Sequence, residues 1–125
     1  MALIVCDTDV LIDALRGRGE ADRFTEEYRR RRLATTAISV FELFAGARGQ
    51  PERASVEALL RALGRLAFDE PAARAAAAAK LELEAAGRAL ATADLQIAGI
   101  CLALDAPLWT RNRSHFERVP GLQLF

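Results

Sequence analysis

Residues Leu3 to Asp13 read LIVCDTDVLID, and this stretch decides the fold. Leu3 to Cys6 is a short, unbroken apolar run closed by Asp7, the pattern of a strand buried on both faces, as in parallel sheets. Beyond Asp7 the period changes. Val10, Leu11, Ala14 and Leu15 recur at helical spacing, and Gly17 and Gly19 stop the helix. Strand passing directly into helix is the start of a βα unit, and open sheets of such units bind ligands beyond the carboxyl ends of their strands. Asp7 falls at that end.

Working outward, the same alternation continues. Glu20 to Arg32 reads as a polar helix and Leu33 to Thr36 as a short strand. Ser39 is expected to cap a third helix carrying Val40, Phe41, Leu43 and Phe44, which ends near Gly46 to Gly49. Pro51 suits the first turn of a fourth helix, with Val56, Leu59, Leu60 and Leu63 on one face and Gly64 as terminator. Leu66 to Phe68 is the next expected strand. The alanine tract in Glu70 to Gly87 is helical by propensity, and its small side chains allow close packing against a neighbour. Thr92 is the expected cap of an apolar helix running through Leu104, ended by Asp105 and Pro107. Leu108 to Thr110 and Leu122 to Phe125 are expected as a core strand and an edge strand. Short apolar strands separated by helices imply right-handed parallel crossovers, hence one domain over residues 1–125 with a three-layer α/β/α sandwich around a mainly parallel sheet.

Composition narrows the function without choosing it. With 125 residues, 52% of them hydrophobic, the chain is long enough for one real core. No run is long and apolar enough for a membrane span. The opening residues from Met1 show neither a basic leader nor a cleavage site, so the expected start is Met1 and the expected location the cytoplasm. Cys6 and Cys101 lie in apolar stretches and read as buried thiols. The net charge is zero, so any site for a polyanion must be local. Lys80 is the only lysine, and the other sixteen cations are arginines. Arg29 to Arg32 form a run that would serve either as a phosphate-binding edge or as a solvated helix end favoured by the dipole.

Three acids stand in awkward places. Asp7 ends an apolar strand, Glu42 lies among Phe41, Leu43 and Phe44, and Asp94 occupies the first turn of the apolar helix from Thr92. Each has a structural explanation, since strand-end acids cap helices and first-turn acids are favoured by the dipole. Together they suggest more, because buried carboxylates need a partner. No cysteine pair or histidine cluster exists for zinc, and His115 is the sole histidine. Carboxylates with open water positions suit Mg²⁺ or Mn²⁺.

Four segments in order resemble the PIN-domain family, and in particular its VapC toxins. LIVCDTDVLID is similar to the family's opening strand with its first acid at Asp7; ISVFELFAG, Ile38 to Gly46, resembles the segment carrying Glu42, with Ser39 three residues before it. ADLQIAGICLAL, Ala93 to Leu104, resembles the third motif with its acid at Asp94, and PLWTRNRSHF, Pro107 to Phe116, the closing motif. The resemblance implies catalysis and metal binding by Asp7, Glu42 and Asp94, with Thr8, Ser39, Thr110 and Asn112 in support. It also implies a metal-dependent endoribonuclease, held inactive by a VapB-type antitoxin, acting on RNA such as transfer RNA, and commonly a homodimer. Asn112 departs from the pattern, since that position is usually Asp. His115 stands nearby, and Asp9 is a further acid that either compensates or caps the first helix. Three carboxylates are expected to hold one ion well and a second poorly. Arg111, Arg113 and Arg118 are candidates for flanking phosphates. Phe41 and Phe44, with the apolar face of the fourth helix, are candidates for an antitoxin groove or a dimer surface.

Two other readings stay open at this stage. Asp7-Thr8-Asp9-Val10 after a strand also resembles a haloacid-dehalogenase-type phosphatase, which further needs a lysine and a downstream acidic pair; only Lys80 is available, and no pair follows Asp94. The non-enzymatic alternative is a PIN-like binding scaffold that lost catalysis through Asn112.

Overall fold

The computed structural model describes residues 2–125; Met1, the expected start, lies outside the described residues. The elements run β1 (Leu3–Cys6), α1 (Thr8–Arg16), α2 (Ala21–Arg30), β2 (Arg32–Thr36), α3 (Ala37–Gly46), α4 (Gln50–Arg61), β3 (Gly64–Leu66), α5 (Glu70–Ala85), α6 (Thr92–Leu104), β4 (Leu108–Trp109) and α7 (Arg113–Phe116). The strands form one parallel sheet in the order β3-β2-β1-β4. Ile4 lies opposite Leu33, and Val5 lies opposite both Ala34 and Leu108. As the central strand, β1 is covered on both faces. Ile4 and Cys6 pack with Val10, Leu11, Leu43, Val56 and Trp109 in one core, whereas Val5 packs with Leu83, Ile97, Cys101 and Phe116 in the other. That is the expected three-layer sandwich.

The alanine tract does what small side chains allow. Ala72, Ala76, Ala79 and Leu83 form the buried face of α5. Opposite them Gly99 of α6 comes so close that a Cβ there would lie 2.5 Å from the Ala72 carbonyl oxygen. This contact seats α6, and with it Asp94.

The differences from expectation are local. Thr36, not Ser39, caps α3, its Oγ1 accepting from the Ser39 amide at 3.1 Å. Thr92 is the first residue of α6 rather than its cap, and Ala91 caps it without a side-chain bond. Asp7, rather than Asp9, caps α1. Gly64 does not terminate α4. The helix closes two residues earlier through short-range bonds, Ala62 N to Leu59 O and Leu63 N to Leu60 O, and Gly64 instead opens β3 opposite Ala34. Thus β3 covers Gly64–Leu66 rather than Leu66 to Phe68, and Asp69 goes to capping α5 through the Ala72 amide. The expected edge strand at Leu122 to Phe125 shrinks to one bridge, Leu108 to Leu124. No expectation covered α7, which buries Phe116. Among the described residues no helix is long and apolar enough to cross a membrane.

Candidate metal centre at the strand ends

Asp7 leaves β1 and caps α1, which places its carboxylate at the carboxyl edge of the sheet with 7% exposure. One oxygen accepts from the Thr8 amide at 2.8 Å and the other from the Thr110 hydroxyl at 2.7 Å. Thr110 follows β4, the neighbouring strand, so adjacent strand ends fix the rotamer. Thr8 contacts Glu42 Oε1 at 2.6 Å and Ser39 Oγ at 2.8 Å. A hydroxyl has one proton, and the carboxylate is the better acceptor, so Thr8 donates to Glu42 and Ser39 donates to Thr8. The first turn of α1 thereby orients an acid of α3.

Charge ties Asp94 to this group. Burial pushes Asp7 up from 3.8 to about 6, against the Thr110 and Thr8 hydrogen bonds, and the charges of Asp9 and Asp94 add to the rise. Asp94 is likewise raised, chiefly by burial; His115 opposes this, and the charges of Glu42 and Asp9 reinforce it. Four carboxylates thus sense one another, while none of the ion pairs among the described residues involves Asp7, Glu42 or Asp94. Those described residues also hold no three acidic, histidine or cysteine side chains gathered into a ready-made metal cage. The donor set is nevertheless all oxygen, negatively charged and uncompensated, which is the chemistry a hard divalent cation fits.

The supporting residues divide. Asp9 accepts from the Arg111 amide at 3.1 Å and is raised mainly by burial, so it straps α1 to the loop after β4. Asn112 donates its amide to Thr110 Oγ1 at 3.0 Å, and its side chain pairs with His115 Nδ1 at 2.7 Å. Glu42 is half-buried and Phe41 is 71% exposed, so the surface around Glu42 is less covered than its apolar neighbours suggest. The arginine run from Arg29 is largely engaged, with Arg30 on Glu26, Arg31 on Glu27 and Arg32 already in β2. Arg113 donates to the Phe125 carbonyl and Arg118 contacts that of Ala89. Cys6 and Cys101 are both pushed up to about 12 by burial, with a further rise from the Asp7 charge, as inert thiols are. Lys80 is exposed on α5 and pairs with Glu84, which removes the lysine the phosphatase reading needs.

Asp13 was not expected here. It is buried, and it holds Arg111 through Nη1 and Oδ1 at 3.0 Å. Its only sequence signal is an acid four residues after Asp9 on a helix otherwise turning apolar positions inward.

Fold and sequence together define the class. Residues 4–122 match the PIN domain, and the chain belongs to the PIN-domain family. Within it the chain is of the VapC type. It is 31% identical over 119 residues to ribonuclease VapC19 of Mycobacterium tuberculosis, covering 94% of each chain. It is 29% identical over 128 residues to the tRNA(fMet)-specific endonuclease VapC of Salmonella typhimurium, covering 99% of this chain and 97% of that one. The DNA-bound VapBC structure from Salmonella typhimurium superposes with a TM-score of 0.89 at 27% identity, over 100% of this chain and 98% of the other. VapBC-1 from nontypeable Haemophilus influenzae gives 0.85 at 27% identity, over 98% and 96%.

Proposed function

We propose that this chain is a Mg²⁺- or Mn²⁺-dependent endoribonuclease, the toxin of a type II toxin–antitoxin pair. The observation carrying this reading is an Asp7 held by Thr8 and Thr110 and raised chiefly by its burial, with the neighbouring Asp9 and Asp94 charges adding to the rise. Asp7, Glu42 and Asp94 would hold the ion. Once bound, the ion supplies an activated water and neutralises charge on a scissile phosphodiester. The remaining work belongs to the chain. Thr110 and Thr8 keep the carboxylates of Asp7 and Glu42 from rotating away, and Ser39 fixes Thr8 in turn. Asn112 contributes no charge, so one ion is held tightly and a second only with RNA present.

The substrate is RNA, with transfer RNA the class that the Salmonella relative's name supports. The partner is a VapB-type antitoxin, in line with the VapBC complexes among the similar structures. Its apolar segment would occupy the cavity of about 170 Å³ between α1, α3 and α4, which is lined by Ile12, Leu15, Leu43 and Val56 and borders on Glu42. Phe44, under the Arg53 guanidinium, and the exposed Phe41 are not among its lining residues, so α3 contributes Glu42, Leu43 and Gly46 instead.

Calorimetric titration of antitoxin-free protein with Mn²⁺ tests the site directly. One ion should bind, Asp94→Asn should weaken it by about a hundredfold or more, and Asn112→Asp should add a second binding event. Unchanged affinity in Asp94→Asn would remove the proposed centre.

A further inference from the structure

Arg111 is not an ordinary loop arginine. Its backbone amide is held by Asp9 and its guanidinium by Asp13, whose side chain is 1% exposed. The second Asp13 oxygen accepts from the Glu20 amide at 3.0 Å. The turn between α1 and α2 is shaped around this carboxylate. Gly19 has φ +57°, and a Cβ there would lie 2.2 Å from Asp13 Oδ2. Burying a carboxylate is costly, and the result is one arginine fixed in place while its side chain stays 55% exposed. That arginine follows Thr110, the residue holding Asp7.

Beside Thr110 opens a groove of about 340 Å³ whose walls include Arg23, Arg111 and Arg113. The Arg23 guanidinium lies 5.2 Å from the centre of the Trp109 ring and 4.8 Å from that of Phe125. The acid lining the groove, the half-buried Glu20, is engaged by the Trp109 indole N–H at 2.7 Å and lies 3.6 Å from Arg23. Arg111 pairs with Asp13, Arg23 lies near Glu20 and Arg113 donates to the Phe125 backbone oxygen, yet all three side chains stay exposed, so their outward N–H groups gather donors for an anion on one wall.

We propose that this groove is a subsite for the sugar–phosphate backbone of single-stranded RNA flanking the cleaved bond, and that Asp13 is the positioning residue that sets Arg111 in it. The inference rests on the ribonuclease reading for its substrate class. Arg111 presents its outward N–H groups to a phosphate, with Arg23 and Arg113 following the strand away from the carboxylates.

The test is fluorescence anisotropy of a fluorescein-labelled twelve-nucleotide oligouridylate, titrated at several NaCl concentrations in EDTA. Arg111→Gln, Arg23→Gln and Arg113→Gln should each weaken binding roughly tenfold at low salt and reduce the salt slope by about 0.7. Arg74→Gln, on α5 in the opposite layer, should change neither. Arg111→Lys should keep the slope and lose affinity, since it retains charge without the fork. Asp13→Asn should weaken binding in the parent and add nothing in the Arg111→Gln background. An equal loss in both backgrounds makes Asp13 a purely structural residue and overturns its role. Unchanged binding in the arginine variants overturns the subsite and leaves the groove to an acidic protein segment. Because no metal or turnover enters, a failure of the nuclease reading would appear separately, in cleavage assays.

Discussion

Asp7→Asn should make the protein more stable and inactive at the same time. Burial and the like charges of Asp9 and Asp94 lift Asp7 to about 6 from 3.8, despite the hydrogen bonds from Thr110 and Thr8. A carboxyl raised on folding favours the folded state while protonated. That contribution is fully present below pH 4 and is lost as pH rises through 6. In metal-free protein at pH 8 the ionised group therefore costs about 3 kcal/mol. Asparagine keeps the shape and a hydrogen-bonding group toward Thr8 and Thr110 without the charge. Thermal melts in EDTA should show a gain of about 2 kcal/mol, roughly 8 °C, at pH 8, and almost none at pH 4. RNA cleavage should fall by about a hundred- to a thousandfold, as when a group that stabilises the transition state is removed. Equal stability of variant and parent at both pH values would mean that the Asp7 charge is solvated, and the case for a cation there would fail.

Gly99→Ala should force α5 and α6 apart. Its Cβ would sit 2.5 Å from the Ala72 oxygen, 2.7 Å from Ala76 Cβ and 2.9 Å from Ala76 N. Two of these are backbone atoms of α5, so no side-chain rotation relieves the clash; the helices must part. A loss of about 3 kcal/mol and a fall in Tm of roughly 10 °C are expected in thermal denaturation. Because α6 also carries Asp94, metal affinity should drop in protein that still folds. Ala86→Gly, on the exposed C-cap of α5, is the comparison; a Gly99→Ala effect no larger than that one would contradict the close α5–α6 packing.

What could be read from the chain followed from strong local patterns. Leu3 to Cys6 admits no half-exposed strand, and the alanines of α5 anticipate a close helix pair. Boundaries were less legible because nearby residues competed for one role. Thr36 and Ser39 are both good caps, and β2, by ending at Thr36, settles the matter. Gly64 reads as a helix stop until the ladder with Ala34 claims it. The acids were legible as charges in apolar settings, with Thr8 and Thr110 beside them. Asp13 was not, because its partners Arg111 and the Glu20 amide are 98 and 7 residues away and meet it only after β4 and the Gly17–Gly19 turn are in place. Phe41 misled in the other direction, since an apolar run does not reveal which of its members faces outward.

Cleavage of total cellular RNA by purified, antitoxin-free protein tests the central claim most directly. With Mg²⁺ or Mn²⁺ the parent should give discrete products, and EDTA or Asp94→Asn should abolish them. No cleavage by folded protein, or products that persist without metal or without Asp94, would contradict the account; the first result would leave a PIN-fold binding scaffold in its place.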